Sequence, residues 1–371
     1  MSIQSDRPSG NNDLDMVLNQ IDVNVSKILD SALDGNDISS EDAVILLNTT
    51  GREFHCVSMV ADELRLRTVG DVATYVVNRN INFTNVCIKR CGFCAFSRDF
   101  RQEEGYFLPV DEIIRRAKEA WNYGATEVCV QAGLPPQMEG DLYIKLTEAI
   151  KSELPDMHIH GFSPEEVLYG SIRSKTSIKE YFRGLKDAGV GSLPGTSAEI
   201  LDQALRDKIS PGRITVSQWV EVITTAHQLG IPTTSTVMFG HSETYEQLAE
   251  HIVLLRDIQA QTGGFTEFVP LSFVNSEAPM FLQGLVDNVR SGPSGMEVIK
   301  VHAISRILLN NWIPNIQASW VKEGSRMSQL LLTSGVNDLG GTLINESIST
   351  SCLLYTSDAA DDTPCVDLGG R

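Results

Sequence analysis

Residues 78–98 read NRNINFTNVCIKRCGFCAFSR. INFTNV (81–86) has strand composition, and it runs directly into Cys87, Cys91 and Cys94 in a C-x3-C-x2-C spacing. Working outward from this stretch, seven further short apolar runs follow: TEVCVQA (126–132), MHIHGF (157–162), VGSLPG (190–195), TTSTVMFG (233–240), TEFVPLSF (266–273), NIQASWV (315–321) and DLGGTLI (338–344). Amphipathic helices separate them. EIIRRAKEAWN sets Ile113, Ile114, Ala117 and Trp121 on one stripe, and SQWVEVITTAHQLG sets Val220, Ile223 and Ala226 together before Gly230 and Pro232. Eight strand-helix units closing on themselves predict a (β/α)8 TIM-type barrel over residues 79–349. Upstream, SKILDSALDG, SSEDAVILLNTTG with a Ser39/Asp42 capping signal, and REFHCVSMVADELR predict an N-terminal helical cap over 17–78. Residues 1–16 are expected to be disordered. Barrels of this type carry their chemistry at the C-terminal ends of their strands, and the three cysteines directly follow the first.

Composition narrows the class. The chain has 371 residues, is 42% hydrophobic and 21% charged, and carries a formal charge of -18. It has no apolar run near the roughly 18 residues of a membrane span. An acidic chain is poorly suited to phosphate backbones, which are bound by clustered Lys and Arg. Nucleic acid and membrane are therefore not expected partners. The N-terminus lacks a basic and an apolar region of secretory type, and the expected compartment is the cytoplasm.

Seven cysteines are an odd number, which in a chain without secretory signals favours metal or catalytic use over disulfides. Cys56 lies in a helical stretch and Cys129 in a strand pattern, both read as packing residues. Cys87, Cys91 and Cys94 have no fourth cysteine nearby to complete a four-thiolate site. Three thiolates hold three irons of a 4Fe-4S cubane and leave the fourth open to a bidentate ligand. The amino and carboxylate groups of S-adenosyl-L-methionine (SAM) are such a ligand, and the spacing is the signature of the radical SAM superfamily. The alternative is a zinc knuckle with a distant histidine.

The run 78–98 resembles the radical SAM subgroup that contains the FO synthase subunits and the futalosine-pathway enzymes of menaquinone synthesis. Within it the chain is most similar to the CofH-type family, through HIHGFSPEE, SLPGTSAEILD, PTTSTVMFGHSET, GGFTEFVPLSFV, NWIPNIQASWVK and GVNDLGGTLINESIS. The resemblance implies a transferase that joins the 4-hydroxybenzyl group of L-tyrosine to 5-amino-6-(D-ribitylamino)uracil in coenzyme F-420 biosynthesis. It also implies a separate CofG-type subunit and a low-potential electron donor.

It implies site residues as well. Phe93 would pack on the cluster and adenine. Gln131 and Gly133 flank Ala132 where the family has a Gly-Gly step beside SAM, so Ala132 is a departure, tolerated at negative φ. Glu199 would contact SAM, although Thr196 to Glu199 is also a capping-box spacing. Gly240 and Glu243 resemble a G-x-x-E motif that holds the adenine, although Glu243 also suits a helix first turn. Weaker substrate-site candidates are His158 and His160 on strand three, Glu267 and Ser272 on strand six, Gln317 and Ser319 on strand seven, and Asn345 and Glu346 after strand eight.

After Ser349 the family pattern stops, and SCLLYTSDAADD resembles translated sequencing-adapter DNA. Residues 350–371 are expected to be an artefactual or disordered tail, with Cys352 and Cys365 outside the enzyme proper and the barrel lacking its final helix. Two alternatives to the transferase stand: a futalosine-type radical SAM enzyme, and a non-catalytic barrel with structural zinc.

Overall fold

The computed structural model describes residues 11–99, 101, 104–344 and 347–352. It begins with four helices: α1 (Asn11–Leu18), α2 (Val23–Leu33), α3 (Ser40–Leu47) and α4 (Gly51–Val69). Helix α1 covers residues expected to be disordered, and only 1–10 of that segment lie outside the described residues. The Ser39/Asp42 capping box forms as predicted, with Ser39 Oγ accepting from Asp42 N–H at 3.1 Å. Cys56 is fully buried in α4.

The helical segment ends earlier than expected. Gly70 closes α4 at φ 72°, and strands β1 (Thr74–Val76) and β2 (Asn78–Ile81) follow. The first barrel strand is thus 74–81 and not 81–86. Beyond Ile81, polar side chains compete with the ladder: Thr84 Oγ1 donates to Tyr106 O at 2.6 Å, and Asn85 Oδ1 accepts from Tyr106 N–H at 2.9 Å. Residues 84 and 86 make only isolated bridges, to Phe107 and Arg98.

The rest alternates: α5 (Val110–Asn122), β3 (Glu127–Val130), α6 (Leu142–Glu153), β4 (His158–His160), α7 (Pro164–Ser174), α8 (Ile178–Ala188), α9 (Gln203–Ile209), α10 (Val216–Gln228), β5 (Thr233–Phe239), α11 (Tyr245–Thr262), β6 (Phe265–Ser272), α12 (Pro279–Leu282), α13 (Gly295–Leu309), α14 (Trp320–Leu331), β7 (Asp338–Gly341) and α15 (Ser347–Thr350). All pairings between these strands are parallel: β2 with β3, β3 with β4, β5 with β6, and β1 with β7. Single parallel bridges complete the ring, His160 to Ser192, Leu193 to Thr233, Phe268 to Ile316, Gln317 to Asp338, and Arg79 to Ile344. Eight strand positions close, with the fourth and seventh reduced to bridge residues.

Burial shows which side is which. Val128, Val130 and Ile159 are fully buried toward the helices, whereas Glu127, Cys129, His158 and His160 alternate with them and line the lumen, half-buried. On α5 the buried face is Ile113, Ala117 and Ala120. Trp121, predicted to share that stripe, sits at its C-terminal edge and is 40% exposed. Helices α3 and α4 dock on the outer layer against α11 and α13. After β7 the described chain forms the four-residue α15 and a turn ending at the buried Cys352. Most of the predicted tail, Cys365 included, lies outside the described residues.

Candidate active site

The cysteine loop is pinned on several sides at the C-terminal end of the first strand. Cys87 N–H donates to Arg98 O at 3.0 Å, Ile88 N–H to Leu134 O at 2.9 Å, and Gly92 N–H to Ile209 O at 2.7 Å, while Gly92 O accepts from Met280 N–H at 2.7 Å. Gly92 has no room for a side chain, since a Cβ there would lie 2.8 Å from that of Met280. Lys89 Nζ reaches Gly212 O and pairs with Glu165 at 3.1 Å. Cys91 is buried, and Cys87 and Cys94 are half-buried.

These thiols suit a cluster better than one ion. Among the described residues, only Glu127, His158 and His160 bring three metal-binding atoms within 4.8 Å of one another; Cys87, Cys91 and Cys94 do not. Thiolates sharing a tetrahedral zinc stand close together, whereas those on separate irons of a cubane stand further apart. Burial pushes the Cys91 thiol up to about 12, with Arg213 opposing, and burial also raises Cys87. Such thiols ionise only beside positive charge, which bound iron supplies.

Arg213 is the nearest protein cation, and its position was not anticipated. It donates to Cys91 Sγ at 3.3 Å, pairs with Glu199 at 3.3 Å and Glu165 at 3.4 Å, and its guanidinium lies 5.7 Å from the Phe93 ring centre. Phe93 is thus linked to the Cys91 side through a cation–π contact with Arg213. Glu165 also accepts from Ile214 N–H at 2.7 Å. No periodicity marks Arg213 or Glu165 in the sequence; Arg213 merely follows Pro211-Gly212.

Glu199 is not a helix-cap residue. Asp202 caps α9, and Glu199 stands before it in the left-handed region at φ 41°, held by Met238 N–H on its carbonyl at 2.7 Å and by Arg206 at 3.2 Å. A non-glycine residue in that conformation marks a site fixed by its surroundings. Glu243 also precedes its helix, whose cap is Thr244. It accepts from Gly240 N–H at 2.6 Å and His241 N–H at 2.9 Å, and pairs with Arg290 at 2.7 Å. Its carboxylate builds the loop after β5, in which Gly240 takes φ 89° against Pro293.

Gln131 Nε2 donates to Thr196 Oγ1 at 3.2 Å. Ala132 has no positive φ, and its N–H donates to Glu166 at 3.0 Å. Gly133 serves close packing: a Cβ there would sit 2.3 Å from Val86 O and 3.1 Å from Cys87 Cβ.

Below this mouth the lumen gathers four of the eight weaker candidates in polar surroundings. His158 and His160 both reach Ser192 Oγ, Gln317 packs over Gly340, and Glu267 faces Asp338 and Glu127. Burial and those two carboxylates raise Glu267 to about 8, and burial lowers His160. Asn345 and Glu346 lie outside the described residues. Ser272 Oγ donates instead to Glu323 of α14 at 2.6 Å, and Ser319 stands at the N-terminal boundary of α14 without a side-chain capping bond. Asn78, Glu127, Ser192 and Asp338 also line the lumen. Asn78 escaped notice because the helical cap was expected to run through it, Ser192 and Asp338 because strands four and eight show weak alternation, and nothing in TEVCVQA singles out Glu127. Asn82 adds a buried Oδ1 without a hydrogen-bond partner at the end of the first strand.

Comparison with known proteins adds the following. The Radical SAM superfamily profile matches residues 81–255, and that of the CofH/MqnC C-terminal region matches 262–361, past the residue near which the family pattern was expected to stop. The 5-amino-6-(D-ribitylamino)uracil--L-tyrosine 4-hydroxyphenyl transferase of Methanothermobacter thermautotrophicus is 47% identical over 89% of this chain and 89% of its own length. FO synthase of Streptomyces avermitilis is 44% identical over 90% of this chain but only 39% of its own length. Methylornithine synthase, at 18% identity, superposes with a TM-score of 0.67 over 86% of this chain and 87% of its own, which shows the fold alone.

Proposed function

Because the chain belongs to the radical SAM family of 5-amino-6-(D-ribitylamino)uracil--L-tyrosine 4-hydroxyphenyl transferases, we propose that it joins a fragment of L-tyrosine to that ribityl diaminouracil in FO synthesis. Cys87, Cys91 and Cys94 would hold the 4Fe-4S cluster, with Glu199, Gln131 and the Gly240–Glu243 loop around SAM. When bound, these groups supply a 5'-deoxyadenosyl radical that takes a hydrogen atom from tyrosine. The tyrosine Cα–Cβ bond breaks, the Cα half leaves as the imine dehydroglycine, and the 4-hydroxybenzyl fragment, which keeps Cβ, joins C5 of the uracil.

The chain's own residues bind and orient. A closed barrel normally fills its interior with apolar side chains. Here Asn78, Glu127, His158, His160, Ser192, Glu267, Gln317 and Asp338 line it. Carboxylates and amides in that setting accept hydrogen bonds from uracil N–H groups and ribityl hydroxyls. That polar lumen, opening beneath the pinned cysteine loop, is the observation that carries the assignment.

FO synthase is a longer chain than this one, and that supports a separate subunit completing the deazaflavin ring. A low-potential donor supplies electrons. Among the described residues no helix is long and apolar enough to cross a membrane, which fits a cytoplasmic setting.

The test is anaerobic reconstitution followed by dithionite, SAM, β-13C-tyrosine and the ribityl diaminouracil. Deoxyadenosine and a coupled product that retains the label are expected. Deoxyadenosine without coupling refutes the substrate assignment, and an unlabelled coupled product refutes transfer of the benzyl carbon.

A further inference from the structure

The lumen contains a continuous chain of titratable groups running away from the cysteines. His158 and His160 leave β4 on the same side, and Ser192 Oγ stands between their rings, 2.8 Å from His158 Nε2 and 2.7 Å from His160 Nδ1. A hydroxyl carries one proton and two lone pairs, so it can donate to only one of the two ring nitrogens. When it donates to one ring and accepts from the other, the rings take opposite roles. His158 Nε2 lies 3.8 Å from Glu127 Oε2, and Glu127 Oε1 accepts from Asn78 Nδ2 at 2.9 Å. The His158 ring rests on Gly191, where a Cβ would come within 2.3 Å of Cε1.

The chain has a direction. Glu127 pairs in register with His158, and Cys129 with His160, so His160 lies nearer the C-terminal mouth. His160 Nε2 makes no hydrogen bond among the described residues and is open to a ligand. At the other end the His158 side chain is 42% exposed.

We propose that His160, Ser192, His158 and Glu127 form a proton relay that carries a proton from the bound uracil substrate toward the N-terminal end of the barrel. This rests on the transferase function. Once the benzyl carbon is bonded to C5, the adduct must lose one electron, for which the oxidised iron–sulfur cluster, when bound, would be the acceptor. The ribitylamino N–H bond then breaks, its electron pair forms the C6=N bond, and the proton needs an acceptor. His160 Nε2 takes it, His160 Nδ1–H passes its proton to Ser192 Oγ, and the Ser192 proton moves to His158 Nε2. Each bond to hydrogen that breaks is replaced by one that forms, and Glu127 faces the resulting imidazolium. The other titratable groups facing the chain are Cys129 on β3, Glu267 on β6 and Asp338 on β7. The lowered basicity of buried His160 leaves it neutral, and so able to accept, at neutral pH.

Ser192→Ala and Gly191→Ala keep every titratable group yet interrupt the chain. In oxidised holoenzyme with 15N-labelled histidine and no substrates, long-range 1H–15N spectra report each ring's tautomer. Wild type is expected to hold His160 as Nδ1–H with His158 Nε2 unprotonated, and S192A to lose that ordering. In single turnovers, coupled product per deoxyadenosine should fall roughly 10²-fold in H160Q and roughly tenfold in S192A and G191A. The proton inventory in mixed H2O/D2O should change from curved in wild type to linear in S192A. Identical tautomers in wild type and S192A, or a coupling ratio in S192A within about twofold of wild type, would overturn the relay. If wild type forms deoxyadenosine but no coupled product, the transferase assignment fails, and the tautomers still decide whether the chain exists.

Discussion

Arg213 illustrates how one side chain sets the charge balance of the site. Its side chain is 13% exposed, and its guanidinium meets Cys91, Glu199 and Glu165. Arg213→Met leaves two buried carboxylates facing fewer cations, Lys89 for one and Arg206 for the other. Breaking a buried pair from one side typically costs about 3–5 kcal/mol. Urea unfolding of anaerobic protein should show a loss in that range, and a loss under about 1 kcal/mol would mean that the carboxylates relax into water. Gly133 tests the other half of the site. Gly133→Ala places a methyl group 2.3 Å from Val86 O, so the strand end carrying Cys87 must move. All three cysteines remain, yet iron and sulfide per chain after reconstitution are expected to fall below wild type. Equal loading would show that the loop yields without cost.

Loops after strands position what the strands cannot. Glu243 closes the Gly240–His241 turn through two backbone N–H bonds and Arg290. Removing a charged acceptor from buried donors costs about 1.5–3 kcal/mol. Glu243→Ala should therefore weaken SAM binding by roughly tenfold or more in equilibrium dialysis, with iron content kept, because the cysteine loop is held by other elements. Unchanged SAM affinity would reduce Glu243 to a stabilising residue. The elements also show where sequence is informative. The cysteine spacing, the capping box of α3 and strands β5 and β6 are legible because their signals are local. The first strand is displaced because INFTNV looks like a strand, yet Thr84 and Asn85 spend their hydrogen bonds on the neighbouring loop. Strands four and seven shrink to bridges beside Gly191, Pro194 and Trp320. Arg213, Glu165 and Ser192 join the site only through contacts between distant segments, which no spacing along the chain encodes.

At the scale of the whole molecule, closing the barrel gathers carboxylates in one enclosed space, and that sets how stability responds to pH. Glu267 is raised from 4.5 to about 8 by burial and by Asp338 and Glu127, and Glu166 is raised from 4.5 to about 7 by burial. In each case the folded state holds its proton more tightly than the unfolded chain, so the stability present below pH 4.5 is lost as pH rises through the folded value. His227 and His302, lowered by burial from 6.5 to about 4, and His251, lowered to about 3, act oppositely. Their contribution is present above 6.5 and is lost as pH falls. Between 4.5 and 6.5 the two groups oppose each other. Above 6.5 the histidines no longer change, so stability should decline from pH 6.5 to 8, with Glu267 responsible for most of the slope beyond 7. Urea midpoints of anaerobic protein at half-unit steps from pH 6.5 to 8 measure it. Glu267→Gln, which cannot ionise, should flatten the curve between 7 and 8 and make the decline between 6.5 and 7 shallower, leaving there the part that Glu166 contributes. A wild-type stability that rises over this range, or an E267Q curve parallel to wild type, would mean that Glu267 is already ionised in the lumen and accepts hydrogen bonds there as a carboxylate.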